Sequence, residues 1–168
     1  MLLTSNGHSS LLAILRMALP NIFTKSVSDE IIARINKLTP ESQPEWGKMD
    51  VARMLAHCNV TYELVFDNIH KNPNGFLKFI LKMMIKNKVV NEKPYGKNGA
   101  TAPQFLITDP KVFETEKARL ISYIEKTQQL GEGHFDNKES HSFGVLTKTE
   151  WNNMFYKHLN HHLNQFGV

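Results

Sequence analysis

Apolar residues in this chain recur at intervals of three and four, and no segment sustains the every-other-residue alternation of a half-buried strand. A chain patterned in this way closes a core by packing helix on helix. From Val27, "VSDEIIARINKL" sets Ile31, Ile32, Ile35 and Leu38 at helical spacing, with Ser28 and Asp29 as candidate caps and Thr39 and Pro40 closing the element. After the polar connection "ESQPEWGK", a second helix is predicted from near Asp50 through "VARMLAHCNVTYELVFDNIH", stopping at "KNPNG". "FLKFILKMMIKNKVV" reads as a shorter apolar helix. The long connection "NEKPYGKNGATAPQFLITDP" has the length and irregularity of a site wall or lid. Asp109 and Pro110 suit the cap and first turn of a third main helix, "KVFETEKARLISYIEKTQQL", with Val112, Leu120, Ile121 and Ile124 inward. A second loop, "GEGHFDNKESHSFG", precedes the last helix, where Thr147 and Glu150 have the spacing of a capping box. Four main helices with connections long enough to cross a bundle predict an all-α four-helix bundle with long crossover loops.

At 168 residues and 41% hydrophobic content, the chain suits one domain with a single core. The formal charge of +4 comes from 20 basic and 16 acidic residues that are scattered along the sequence. The densest basic run, residues 78–88, spaces its lysines along an apolar segment as a solvated helix face does, and the reading is of neither nucleic-acid nor membrane binding. One cysteine, Cys58, cannot form an internal disulfide, which points to a reducing, cytoplasmic setting and to a small buried hydrophobe at that position. Arg16 interrupts the apolar stretch of "SSLLAILRMALP", and no basic residue precedes it, so it reads as neither a signal peptide nor a membrane span.

The chemistry gathers in "YKHLNHHLNQFG", residues 156–167, which holds three of the eight histidines. His158 and His162, four apart on a helix, project from successive turns of one face, where two imidazoles can reach one ion. With Trp151, Phe155, Leu159 and Phe166 marking the apolar side, both fall on or near it, whereas His161 points away. Spacing alone leaves two readings: a metal-ligand pair, or two core histidines each with a hydrogen-bond partner. A third ligand has to come from another helix. His57 is chosen by elimination, since His70 lies at a frayed end, His134 and His141 in a loop and His8 in the N-terminal stretch.

"NIFTKSVSDEIIARINKLTPESQPEWGKMDVARMLAHC", "TAPQFLITDP" and "FGVLTKTEWNNMFYKHLNHHLNQFGV" together resemble an uncharacterised bacterial branch of the DinB-like (DinB/YfiT) superfamily, from about Asn21 to Val168. The resemblance implies an up-down-down-up four-helix bundle over residues 21–168. It makes residues 1–20 a poorly ordered extension, with Met17 as an alternative start. It also implies a divalent ion, nickel or zinc, held by His57, His158 and His162. Arg53 stands where that superfamily often carries Gln. Relatives in the superfamily include thiol transferases using low-molecular-weight thiols such as bacillithiol or mycothiol, and hydrolases. The resemblance is compatible with a homodimer.

Three imidazoles leave a divalent ion an open position for water or substrate, the arrangement of a catalytic site. The function expected is a metal-dependent enzyme activating water or a thiol for hydrolysis or thiol transfer on a small molecule. A non-catalytic metal-binding or stress-related module is the alternative. No general base stands out: Asn59, Tyr62, Glu63 and Asp67 read as structural or solvated, and Glu150 as a cap. Trp46, Tyr95, Phe105, Phe143 and Trp151 are candidates for the apolar wall of a pocket over the ion.

Overall fold

The computed structural model describes residues 18–67 and 69–168. The expectation of an extension over residues 1–20 falls almost wholly on residues 1–17, outside the described ones. Among the described residues the chain is mostly helical, running α1 (Lys25–Asn36), α2 (Val51–Phe66), α3 (Gly75–Met84), α4 (Lys86–Val90), α5 (Phe113–Phe135) and α6 (Lys148–Gln165). A single 3-10 turn, Pro103–Phe105, lies in the long connection before α5. Two three-residue strands, β1 (Lys138–Ser140) and β2 (Gly144–Leu146), pair antiparallel between α5 and α6, with Lys138 opposite Leu146 and Ser140 opposite Gly144. Three residues are too few to register as an alternation, so the sequence pattern does not announce them. No described helix is long and apolar enough to cross a membrane.

Side-chain caps start three of the six helices. Asp50 accepts the Arg53 N–H at 2.8 Å and starts α2. Asn74 does the same for Leu77 at 2.9 Å and starts α3. The capping box of α6 forms in full, Thr147 taking the Glu150 N–H and Glu150 reaching back to the Thr147 N–H. Other expectations give way. Thr24, not Ser28 or Asp29, precedes α1, and Ser28 is buried inside the helix. α2 ends at Phe66, so His70 lies beyond it. α5 begins at Phe113 rather than behind Asp109, and Val112, expected inward, is 67% exposed. Pro110 sets no first turn here: Asp109 sits in a bend, and Val112 just before the helix is still extended.

α1 and α2 each pack on both α5 and α6. Between them runs an aromatic column. Phe23 stacks on Phe135 at 5.1 Å between ring centroids, Phe135 meets Trp151 and Phe155, and Tyr62 stacks on Phe155 at 5.0 Å and on Tyr123 at 5.6 Å. Burial of such rings, roughly 1.5–3 kcal/mol each, is the main force holding α6 against α2 and α5. α2 is the most enclosed element: eleven of its sixteen residues are buried. It therefore turns one face to α6 and another to α5, and each face carries polar side chains into the interior.

Segment 45–47 is zipped to the last turn of α6. Glu45 donates its N–H to the Gln165 carbonyl at 2.7 Å, and the Gln165 side-chain amide donates to the Trp46 carbonyl at 2.7 Å. Gly47 makes this approach possible. Its φ of +84° lies in the left-handed region, and a Cβ there would sit 2.7 Å from Gln165 Nε2.

Candidate metal centre

His57 projects from the middle of α2, and His158 and His162 from successive turns of α6. One ring nitrogen from each lies within 4.8 Å of the others. The ring centroids are 4.6–5.0 Å apart. His57 and His162 are buried and His158 partly so. His161 does not join the group; its ring packs edge-on against Trp46 and Tyr95.

The outer nitrogens decide what the inner ones can do. His57 Nδ1 donates to the Phe105 carbonyl at 2.8 Å, because a carbonyl oxygen can only accept. His162 Nδ1 lies 2.8 Å from Gln165 Oε1. Since Gln165 spends its NH2 on the Trp46 carbonyl, its oxygen faces the ring and His162 Nδ1 must carry the proton. Nε2 of both rings is then a bare lone pair turned inward. His158 Nδ1 pairs with the Thr61 hydroxyl at 2.9 Å, which can either donate or accept, so only His158 has a free choice of tautomer.

His57 Nε2 and His158 Nε2 are 3.0 Å apart. Without a cation, one proton on His158 Nε2 satisfies that pair and leaves the lone pair of His162 over. A cation would engage all three nitrogens at once, with Thr61 accepting from His158 Nδ1–H. The donor set fits a metal in chemistry and in spacing. Imidazoles about 2.0–2.1 Å from a tetrahedral ion would lie about 3.4 Å from one another, between the 3.0 Å of the His57–His158 pair and the 4.8 Å that bounds the group. Acceptors behind each ring are how proteins fix the ligating tautomer.

Electrostatics point the same way. Burial pushes the His158 pKa well below its ordinary value, with the neighbouring rings of His162 and His57 adding to the effect. Burial, reinforced by His57 and partly offset by Gln165, lowers His162 to about 3. His57 is lowered mainly by burial, against the opposing bond to Phe105. All three are neutral near pH 7, the state a metal needs.

A cavity of about 710 Å³ opens over the three rings. Trp46, Tyr95, Phe105, Phe143 and Trp151 all contribute to its wall, with Leu81 of α3 and Ile85 beyond it completing one side. Arg53 stands at this cavity, paired with Asp50 at 3.3 Å. Tyr95 is held above His158 and His161, and burial raises its phenol.

Cys58 is buried on α2 beside Met54, and burial raises its thiol far above the usual range, so it packs as an inert hydrophobe. Glu63 pairs with Arg119 at 2.5 Å and with His70 at 2.7 Å, and not with any of the three histidines. Sequence reasoning missed Thr61, Gln165, Gly47 and the Phe105 carbonyl. A polar residue three places after His162 in a helix is the only one of these with a sequence signal.

A family model described as "Protein of unknown function (DUF1569)" matches residues 22–167. No curated protein and no solved structure matches the chain.

Proposed function

The chain belongs to the DUF1569 family, and within it we propose a metal-dependent enzyme in which His57, His158 and His162 hold a divalent ion, nickel or zinc. The observation that carries this reading is the convergence of imidazole nitrogens whose outer partners strip two of them of protons. When bound, such an ion supplies Lewis-acid activation of a water or a thiol, for hydrolysis or thiol transfer on a small molecule. The chain's own residues do the remaining work. Phe105, Gln165 and Thr61 orient the rings, and the aromatic wall of the cavity shields the reacting atoms from bulk water and accommodates an apolar substrate body. A low-molecular-weight thiol is one fitting substrate.

The same reading takes α1, α2, α5 and α6 as an up-down-down-up four-helix bundle of the DinB-like superfamily, spanning residues 21–168 with residues 1–20 as an extension. The packing of α1 and α2 across both α5 and α6 supports it. The single buried, unpaired thiol of Cys58 is in keeping with a cytoplasmic setting. The cavity favours an enzyme over a non-catalytic metal-binding module, since a purely structural site has no use for open space over its ligands.

Elemental analysis of protein purified without a metal-affinity step should find about one divalent ion per chain. A preparation with no ion, and no uptake after dialysis against nickel or zinc, defeats the metal. Thiol consumption with a panel of apolar electrophiles, abolished by a chelator, then separates an enzyme from a module that merely stores the ion.

A further inference from the structure

α3 is the one main-chain helix of eight or more residues, among those described, that buries none of its side chains. Yet it is strongly apolar. At about 100° per residue, Phe79, Met83, Phe76, Ile80 and Met84 cover a continuous arc of roughly 140°. Four of these five point into solvent: Phe76 is 76% exposed, Phe79 61%, Met83 68% and Met84 74%. The lysines Lys82 and Lys88 are solvated, as the sequence reading has it, but the opposite side is solvated too. The apolar face is uncovered.

Charge concentrates on the same segment. Residues 71–97 hold seven lysines against one acid, Glu92, a net of +6 in a chain whose total is +4, so everything else nets −2. Lys82 borders the apolar arc on one side and is exposed, as is Lys88 on α4. Lys78 and Lys86 pair with Glu139 and Glu150, which fastens α3 and α4 to the hairpin and to α6 with the arc outward. On its other side the arc runs through Leu77 to Leu81 and Ile85, which line the cavity over the histidines.

From this placement we infer that α3 and its lysines form a docking surface for an anionic lipid bilayer, on which the helix lies in the plane of the interface. A helix with an apolar arc and flanking lysines has this use: the rings and thioethers enter the acyl boundary, and the lysines reach up to the headgroups. Other occupants fit less well. A second copy docked through the same face would bring two positively charged segments together. Nucleic acid would take up the lysines and leave the aromatic and methionine side chains in water. Seating α3 on a bilayer also places one wall of the cavity at the lipid boundary, so an apolar substrate would have a short path to the site.

Docking does not depend on the metal, so the full chain should behave alike with or without an ion. Flotation with vesicles of phosphatidylcholine alone, and with about one third phosphatidylglycerol, reads it directly. Partition should be about tenfold higher on the anionic vesicles and should fall with added salt. Phe79→Glu with Met83→Glu should reduce it to background while leaving the far-UV dichroism unchanged, since both side chains are exposed. Equal partition onto both vesicles, or none onto either, overturns the proposal. So does a wild-type dimer that the same two substitutions split into monomers, because a second copy would then cover the face.

Discussion

α2 carries two polar clusters into the interior on opposite sides, and they are built on opposite rules. Toward α5, Asn59, Glu63 and Asp67 meet Glu116, Arg119 and Tyr123, with His70 closing over the top. Arg119 bonds Glu63 at 2.5 Å and Glu116 at 2.8 Å, His70 donates to Glu63 at 2.7 Å, Asn59 donates to Glu116 at 2.8 Å, and Tyr123 donates to Asp67. Acids face donors, so that side is nearly self-sufficient; of the side chains just named, Asn59 leaves its Oδ1 without a partner. Toward α6, His57 and His162 both present bare lone pairs, and only His158 can offer a proton between them. Every ring has a partner behind it, while the inward nitrogens have too few protons to satisfy one another. A cluster that completes itself serves the fold. One that is completed by a guest serves a ligand.

The largest effect expected breaks the guest side alone. His162→Leu keeps the apolar stripe of α6 and removes one of three ligands, so metal content should fall from about one per chain to near zero. Unfolding of the metal-free chain by urea should change little. If the variant retains its ion in elemental analysis, the triad is not the site.

Arg119→Met breaks the other side. It leaves Glu63 and Glu116 buried without their cation, and stability should drop by about 2–3 kcal/mol. That is less than the 3–5 kcal/mol of a fully buried pair, because Arg119 is 37% exposed. Metal content should be unchanged. A fall in metal content in step with stability would mean that the two clusters are one network.

The third test sharpens the contrast without touching a ligand. Gly47→Ala puts a Cβ against Gln165 Nε2, whose side chain must swing away and release His162 Nδ1. Gln165→Leu removes the acceptor outright. Metal affinity should weaken by about 10–100-fold in either variant, the usual cost of losing a partner behind a ligating histidine. Competition with a chromogenic chelator measures it, and an unchanged affinity in Gln165→Leu would deny the Trp46–Gln165–His162 chain its role.

How much of this was legible in the sequence follows from what each residue had to announce. α6 was open to reading: its capping box is four residues long, and the spacing of His158 and His162 states their common face. His57 could be reached only by elimination, because a helix with eleven of sixteen residues buried has no single apolar stripe to orient it. The Phe105 carbonyl was invisible, since every residue has one. Thr61 looked like any polar residue near a histidine, and only Gln165, three places after His162 on the same helix, had a position that signalled its role. The start of α5 was misplaced because Asp109 and Pro110 satisfy the local rules for a cap, yet Val112 is still extended and the helix begins only at Phe113. For α3 the pattern was read correctly and its environment was not: an amphipathic period specifies a face but not whether anything covers it.

The smallest effect expected separates the clusters by pH. In the unfolded chain each imidazole titrates near its ordinary value of about 6.5, whereas in the metal-free fold burial holds His57, His158 and His162 below it, His162 at about 3. Below about pH 6.5 the unfolded state binds protons that the folded state refuses, so stability falls as pH falls, and for His162 the loss continues until the pH reaches about 3. Between pH 7 and pH 6 this amounts to about 0.7 kcal/mol for His162, whose folded value lies far below that window. Urea midpoints taken in the presence of a chelator should therefore decline with acid more steeply in the wild type than in His162→Leu. Equal slopes would mean that His162 takes up its proton as readily inside the fold as outside it, and that the triad is open to water rather than enclosed.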